Sequence, residues 1–254
     1  MLILGRGGLG SAVAQTLREN GAELALLYPP FEASRRKKVL ESFYGSATPN
    51  GVSTYECDIT SESSVKQAFD EIIPCEAFPS ILVNAAGYVS VQPQEKTSAD
   101  EALRNILPNL LGPFITSNAF FHLYQSRASQ RGGKAPPGRI VSIASQAAHV
   151  ALDGHGAYCA SKAGLIGLTR CMASEWGGKG ITSNSVSPTV TWTALAAKAW
   201  ADDAKRERHL AQIPTGRFSE PGEVAQAIEF LCRDASRMIN GADIRIDGGF
   251  TISR

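Results

Sequence analysis

The sequence has few cysteines, almost no net charge and no long apolar run. Its five cysteines are odd in number, widely spaced and without a C-x-x-C pair, which disfavours a disulfide framework or a zinc site and favours a reducing, cytoplasmic location. The formal net charge of +1 gives no field to recruit nucleic acid or a membrane surface. No apolar stretch could span a bilayer, and the start, MLILGRGG, lacks the charged lead of a secretory signal.

What the sequence does have is an alternation of short apolar runs and longer amphipathic segments. The strand candidates are residues 2–5, 23–28, 52–57, 80–84, 139–145, 182–187 and 243–247. The helix candidates are residues 10–20, 32–44, 61–73, 98–129, 156–177, 202–211 and 221–232. Several strand candidates are continuously apolar, as expected of parallel strands covered on both faces. The order predicts an α/β fold, a single doubly wound Rossmann-type domain over residues 1–254 with a seven-stranded parallel sheet.

A glycine-rich loop, GRGGLG, follows the first strand candidate. It fits Gly-x-Gly-x-x-Gly from Gly5, Gly7 and Gly10, a pattern in which the backbone approaches a pyrophosphate and a helix dipole attracts it. The alternative for any such segment is a plain tight turn. Its position between a strand and a helix favours the dinucleotide site.

The end of the second strand candidate lacks the acidic residue that would hold the ribose hydroxyls of NAD, and Tyr28 stands there. Without a carboxylate there is no repulsion against a 2′-phosphate. Arg6, Arg35 and Arg36 are the candidates to bind one. We therefore favour NADP(H) as the cofactor, with NAD(H) as the alternative.

Polar or small residues also end the third and fourth strand candidates. Asp58 is placed to accept a hydrogen bond from the adenine amino group, or it caps a helix that begins near Ser61. Asn84, Ala86 and Gly87 make a tight turn through which the riboses of a dinucleotide can pass.

Tyr158 and Lys162 lie four residues apart on a predicted helix, hence on one face. An ammonium beside a phenol favours the phenolate and lowers the tyrosine pKa from about 10 towards neutral pH. Such a phenol exchanges a proton with a carbonyl or alcohol oxygen. Ser145, at the end of the fifth strand candidate, can hydrogen-bond the same oxygen.

Together these motifs resemble the short-chain dehydrogenase/reductase family along essentially the whole chain. The shared features also include NLLGPF (109–114), SPTVTWT (187–193) and DGGF (247–250). The resemblance implies that Asn109, Ser145, Tyr158 and Lys162 are catalytic, with Asn109 holding a water that links Lys162 to solvent. The implied cofactor contacts are Gly5, Arg6, Gly8, Leu9, Gly10, Tyr28, Asp58, Ile59, Asn84, Ala85, Ala86, Gly87, Tyr158, Lys162, Pro188, Thr189, Val190 and Thr193.

Within that family the chain is most similar to polyol dehydrogenases and L-xylulose (dicarbonyl) reductases. The similarity implies that Gln146, His155 and Trp200 line the substrate pocket beside Ser145 and Tyr158, with a substrate loop over residues 189–215. A structural histidine and a packing tryptophan are the alternatives. The family also implies self-association, as a homotetramer or homodimer, through the helices at 98–129 and 156–177.

The expected function is NAD(P)(H)-dependent reduction of a ketose or dicarbonyl to the secondary alcohol, and the reverse oxidation of a polyol. One alternative is reduction of a 3-oxoacyl thioester by the same residues. Another, of a different class, is a non-catalytic nucleotide-binding sensor or scaffold, because a fold does not fix a function.

Overall fold

A parallel sheet with helices on both faces forms the centre of the protein. The computed structural model describes residues 2–4, 8–72 and 78–253, and of residues 2–4 only the backbone. The strands are β1 (Leu2–Leu4), β2 (Leu24–Tyr28), β3 (Val52–Glu56), β4 (Ile81–Asn84), β5 (Gly138–Ile143), β6 (Ile181–Pro188) and β7 (Asp243–Ile246). They lie side by side in the order β3-β2-β1-β4-β5-β6-β7, and each neighbouring pair is parallel. The predicted Rossmann-type α/β architecture is confirmed.

The connections between strands are helical. The helices are α1 (Gly8–Glu19), α2 (Arg36–Tyr44), α3 (Glu62–Ile72), α4 (Ala99–Ile106), α5 (Gly112–Gln130), α6 (Gly156–Trp176), α7 (Ala194–Ala199), α8 (Asp203–Leu210) and α9 (Pro221–Cys232). None of them, as far as the described residues go, is long and apolar enough to cross a membrane.

The core has two layers, one on each face of the sheet. Neighbouring residues of a strand point to opposite faces, so Leu82 and Ile140 pack with α3, α5 and α6, whereas Val83 and Val141 pack with α1 and α9. All four of these side chains are fully buried. Coverage of both faces explains why the central strands read as continuous apolar runs.

The single long helix expected over residues 98–129 is interrupted. A π-helical turn, Leu107–Leu111, separates α4 from α5, because Pro108 and Pro113 have no amide hydrogen to donate to a helical bond. The turn is closed by a bond from the Gly112 amide to the Leu107 carbonyl. Asn109, in the middle of this turn, is completely buried. Such π turns are frequent at functional sites.

Candidate active site

Ser145 and Tyr158 meet at the carboxyl edge of the sheet. Ser145 lies two residues beyond β5 and begins a 3₁₀ turn, Gln146–Ala148, where its Oγ accepts a hydrogen bond from the Ala147 amide at 3.2 Å. Tyr158 lies in the first turn of α6. The two side chains are hydrogen-bonded to each other. The structure therefore brings Ser145 and Tyr158 together, and that both bond one substrate oxygen stays a prediction.

The pKa of the Tyr158 phenol is raised above its ordinary value. Burial is the dominant cause, and the hydrogen bond from Ser145 opposes it. We expected the neighbouring ammonium to lower this pKa, and for this arrangement of side chains that prediction is wrong. The Lys162 Nζ lies 5.9 Å from the centre of the tyrosine ring, and desolvation of the phenolate is the largest influence on the pKa.

Lys162 is itself buried, with 4% of its surface exposed. Its Nζ donates a hydrogen bond to the Ile143 carbonyl at 2.7 Å. Desolvation of the ammonium lowers the pKa of Lys162 from 10.5 to about 8. Burial thus raises the pKa of the phenol and lowers the pKa of the amine, so it favours the neutral form of both groups.

The side chain of Asn109 joins three segments of the chain. Its Oδ1 accepts from the Tyr88 amide at 2.8 Å, and its Nδ2 donates to the Tyr88 carbonyl at 2.8 Å and to the Ser161 Oγ at 3.0 Å. Ser161 Oγ donates in turn to the Tyr158 carbonyl at 2.7 Å. Tyr88 and Ser161 are not among the predicted site residues, because their distance along the chain from Asn109 gives no local signal.

Gly87 lies next to Lys162, and Thr189 lies just beyond β6. A Cβ at Gly87 would lie 3.0 Å from the Asn109 Oδ1 and 3.6 Å from the Lys162 Nζ, so only glycine leaves this space open. Thr189 follows Pro188 at the end of β6; it is buried, and its Oγ1 has no hydrogen-bond partner among the described residues. An open cradle and an unsatisfied buried hydroxyl fit the nicotinamide half of a dinucleotide.

The first turn of α1 faces the segment after β6. Gly8 has a φ of +30°, and a Cβ there would lie 2.8 Å from the Thr193 Cγ2, so the two backbones can approach only with glycine at this place. Leu9 and Gly10 continue the same turn, and the Val190 carbonyl accepts from the Ser219 amide at 3.1 Å. A helix N-terminus opposite a threonine fits a pyrophosphate.

Two of the predicted cofactor contacts, Gly5 and Arg6, lie outside the described residues. At the end of β2 the structure instead places Arg36 beside Tyr28, with the guanidinium carbon 6.0 Å from the ring centre. Arg36 is exposed at the start of α2. Its Nη1 donates a hydrogen bond to the Thr54 Oγ1 on β3 at 3.4 Å.

Two predicted cofactor contacts, Asp58 and Ile59, follow β3. The Asp58 Oδ1 accepts from the amide and hydroxyl of Thr60, at 2.9 and 2.7 Å, whereas Ser61 caps α3 by accepting from the Ser64 amide. The proposal that Asp58 is the cap is therefore wrong. Ile59 packs at the position a side chain on Gly112 would need.

The side chain of Asn84 is hydrogen-bonded to other buried side chains. Its Nδ2 donates to Ser117 and Ser142, and its Oδ1 accepts from Thr116. The cofactor contact predicted for Asn84 would therefore use its backbone, and those predicted for Ala85 and Ala86 stay predictions.

The three predicted substrate residues have different environments. Gln146 is 4% exposed, and its Oε1 has no partner among the described residues. The His155 ring lies 6.3 Å from the Tyr158 ring, and its Nδ1 contacts the Asp153 carbonyl at 2.7 Å. Trp200 packs against His209 and Phe218, with ring centres 4.7 and 5.3 Å away. These contacts agree with the alternative given above, in which Trp200 is a packing residue.

Several characterised proteins are similar to this chain along nearly its whole length. A D-threitol dehydrogenase of Mycolicibacterium smegmatis is 39% identical over 245 residues, 96% of this chain and 89% of that protein. An NAD-dependent glycerol dehydrogenase of Listeria innocua is 34% identical, covering 96% of this chain and 90% of its own. A Bos taurus L-xylulose reductase is 32% identical over 98% and 95% of the two chains.

The fold is shared with solved structures. A crystal structure titled as a putative NAD(P)-dependent gluconate 5-dehydrogenase from Beutenbergia cavernae, with bound NADP, has a TM-score of 0.86 and 26% identity over 99% of this chain and 96% of that one. The profile of a family described as Enoyl-(Acyl carrier protein) reductase matches residues 3–251. The chain belongs to the short-chain dehydrogenase/reductase family of oxidoreductases.

Proposed function

We propose that this protein interconverts a small polyol and the corresponding ketose with a nicotinamide cofactor, within one domain that carries both cofactor and catalytic residues. The observation that carries the proposal is the contact between Ser145 and Tyr158 at the sheet edge, beside a buried Lys162 and the open cradle at Gly87. The relatives named above act on tetritols, glycerol or a ketopentose, by their names.

In this proposal the four catalytic candidates have separate tasks. Ser145 donates a hydrogen bond to the substrate oxygen and polarises its carbonyl. Tyr158 gives that oxygen its proton in reduction and removes it in oxidation. The nicotinamide, when bound, supplies or accepts the hydride. Lys162 holds the ribose of the nicotinamide nucleotide. Asn109 keeps the Gly87–Tyr88 backbone in place and anchors the proton relay.

The buried Gln146 supports a hydroxylated substrate. Its unsatisfied Oε1 is an acceptor in need of a donor, because a buried polar atom left without a partner costs about 1–3 kcal/mol. A hydroxyl on the carbon next to the reacting centre supplies that donor, and an acyl thioester does not. His155, which precedes α6 and whose ring lies 6.3 Å from the Tyr158 ring, bonds a second hydroxyl in this proposal.

A substrate panel tests this proposal. Cofactor consumption at 340 nm is measured with ketoses of three to six carbons, diacetyl and acetoacetyl thioester, using NADPH and NADH in turn. We expect the highest kcat/KM for a ketotetrose or ketopentose. Preference for the acetoacetyl thioester would support thioester reduction instead, and binding without any turnover would support the sensor or scaffold. The cytoplasmic location remains a prediction from the cysteines alone.

We further propose that NADPH is preferred. Arg36 is exposed beside Tyr28, and a charge-assisted bond to a 2′-phosphate contributes roughly 1.5–3 kcal/mol. Arg36→Ala is therefore expected to lower kcat/KM for NADPH about 10- to 100-fold and to leave NADH almost unaffected. Lys37→Ala, an exposed neighbour on α2, is the matched control, and Arg6→Ala tests the glycine loop. A wild-type preference for NADH would contradict the proposal.

We also propose that the protein forms tetramers. The outer side of α6 exposes a row of small residues, Gly156, Ala160, Ala163 and Gly167. The segment from α4 to α5 exposes three large apolar side chains, Leu103, Leu111 and Phe114. Small residues let two copies of a helix approach closely about a two-fold axis. Light scattering at micromolar concentration should give four times the chain mass of 27.0 kDa, and Ala163→Arg should lower it. A monomeric wild type would contradict the prediction.

A further inference from the structure

A polar cluster outside the four catalytic candidates joins the turn after β5 to β6 and to the first residue of β7. The Asp243 carboxylate, with its side chain 7% exposed, accepts three hydrogen bonds. Its Oδ1 accepts from the Ser185 and Ser187 hydroxyls at 2.5 and 2.9 Å, and its Oδ2 is 2.8 Å from the His149 Nε2. Because a carboxylate only accepts, the imidazole hydrogen lies on Nε2.

The histidine of this cluster ends the turn that Ser145 begins. The turn is a hydrogen-bonded unit, since the Ala148 amide donates to the Ser145 carbonyl at 2.9 Å and the His149 amide to the Gln146 carbonyl at 3.0 Å. Its first end is tied to the sheet, where the Ala144 amide donates to the Val186 carbonyl at 2.8 Å. Its far end is tied by the imidazole of His149 to β7.

The same imidazole also approaches the strand that leads to the cofactor cradle. Its Nε2 lies 3.3 Å from the Ser187 Oγ, and Ser187 immediately precedes Pro188 and Thr189. The His149 side chain therefore contacts both β7, through Asp243, and β6, the strand that leads to Thr189, through Ser187.

We infer that His149 is a positioning residue, which through its bond to Asp243 holds the Ser145–His149 turn in register with the Pro188–Thr189 segment. The inference rests on the proposed function. Loss of the bond frees the far end of the turn, while the tie at Ala144 and the buried Gln146 and Ala147 keep the fold intact. The Ser145 hydroxyl then departs from the position that serves the substrate oxygen and Tyr158, and misplacement by about 1 Å costs up to about 100-fold in rate.

The test compares three substitutions of His149. His149→Leu removes the bond, His149→Gln keeps a donor at the position of Nε2, and His149→Asn is polar but one carbon too short to reach Asp243. We expect kcat to fall at least about tenfold in the Leu and Asn variants. It should recover to within about threefold of wild type in the Gln variant, with the cofactor Kd unchanged in all three. His122→Leu, on the exposed side of α5, is the matched control.

A pH profile separates positioning from mere packing. The hydrogen bond from Ser145 lowers the pKa of Tyr158, so a displaced turn should move the basic limb of kcat/KM to higher pH in the Leu and Asn variants but not in the Gln variant. Equal kcat in the Leu variant and wild type overturns the inference. So does an equal loss in the Gln and Asn variants. An inactive wild type would instead contradict the proposed function, which distinguishes the two failures.

Discussion

Tyr158→Phe is expected to lower kcat by about 10²- to 10⁴-fold, the contribution of a general acid or base in enzymes. The substitution keeps the ring that packs at the start of α6 and removes the hydroxyl that bonds Ser145. Because the cofactor cradle at Gly87 and Thr189 is untouched, the cofactor Kd should stay within about twofold. Steady-state kinetics and fluorescence titration of the cofactor measure the two quantities.

A second tyrosine provides the control for Tyr158. The Tyr88 hydroxyl donates to the Glu101 Oε1 at 3.0 Å, and Asn109 binds only the Tyr88 backbone. Tyr88→Phe should therefore keep kcat within about threefold. If Tyr158→Phe retained more than about a tenth of wild-type activity, another group would have to carry the proton.

Lys162→Met is expected to lower activity and raise stability. Activity should fall at least about 100-fold, because the substitution removes a preorganised positive charge from the site. Stability should rise because the ammonium is desolvated: at about 1.4 kcal/mol per pKa unit, a pKa lowered from 10.5 to about 8 costs the fold roughly 3 kcal/mol at pH 7. The Ile143 carbonyl loses its hydrogen-bond donor in the variant, and this loss offsets about 1 kcal/mol of the gain in stability.

The pH dependence of that stability difference has a defined sign. Below pH 8 the lysine is protonated in both the native and the unfolded protein, so the full cost is present. Between pH 8 and 10.5 the unfolded chain binds more protons than the native one, so the stability of wild type relative to Lys162→Met rises with pH. Denaturant unfolding of both proteins at pH 7 and pH 9.5 measures this, and a Met variant less stable than wild type at pH 7 would contradict it.

The spacing of residues in the sequence predicted which groups meet, because strands and helices place them by simple rules. Tyr158 and Lys162 share a face of α6 by their four-residue interval, and Ser145 lies at the carboxyl edge of the sheet as a residue following a parallel strand must. The direction of the tyrosine pKa was not predictable in this way. It depends on the burial of the phenol in the folded protein, which is the largest cause of the raised pKa.

Long-range side-chain contacts explain the other differences. Asn109 bonds Tyr88 and Ser161, at 21 and 52 residues' distance, and His149 bonds Asp243 at 94 residues' distance. No local pattern encodes such pairs. The interruption between α4 and α5 was visible in principle, because Pro108 and Pro113 both stand inside the apolar helical pattern.

Reduction of a ketotetrose by the wild-type protein tests the central proposal most directly. A progress curve should record NADPH or NADH at 340 nm, protons by a pH indicator and the alcohol by chromatography in the same reaction. Hydride and proton transfer to one carbonyl predicts one cofactor oxidised and one proton consumed for each alcohol formed. Cofactor that binds, by fluorescence, but is never consumed with any ketose of the panel would contradict it.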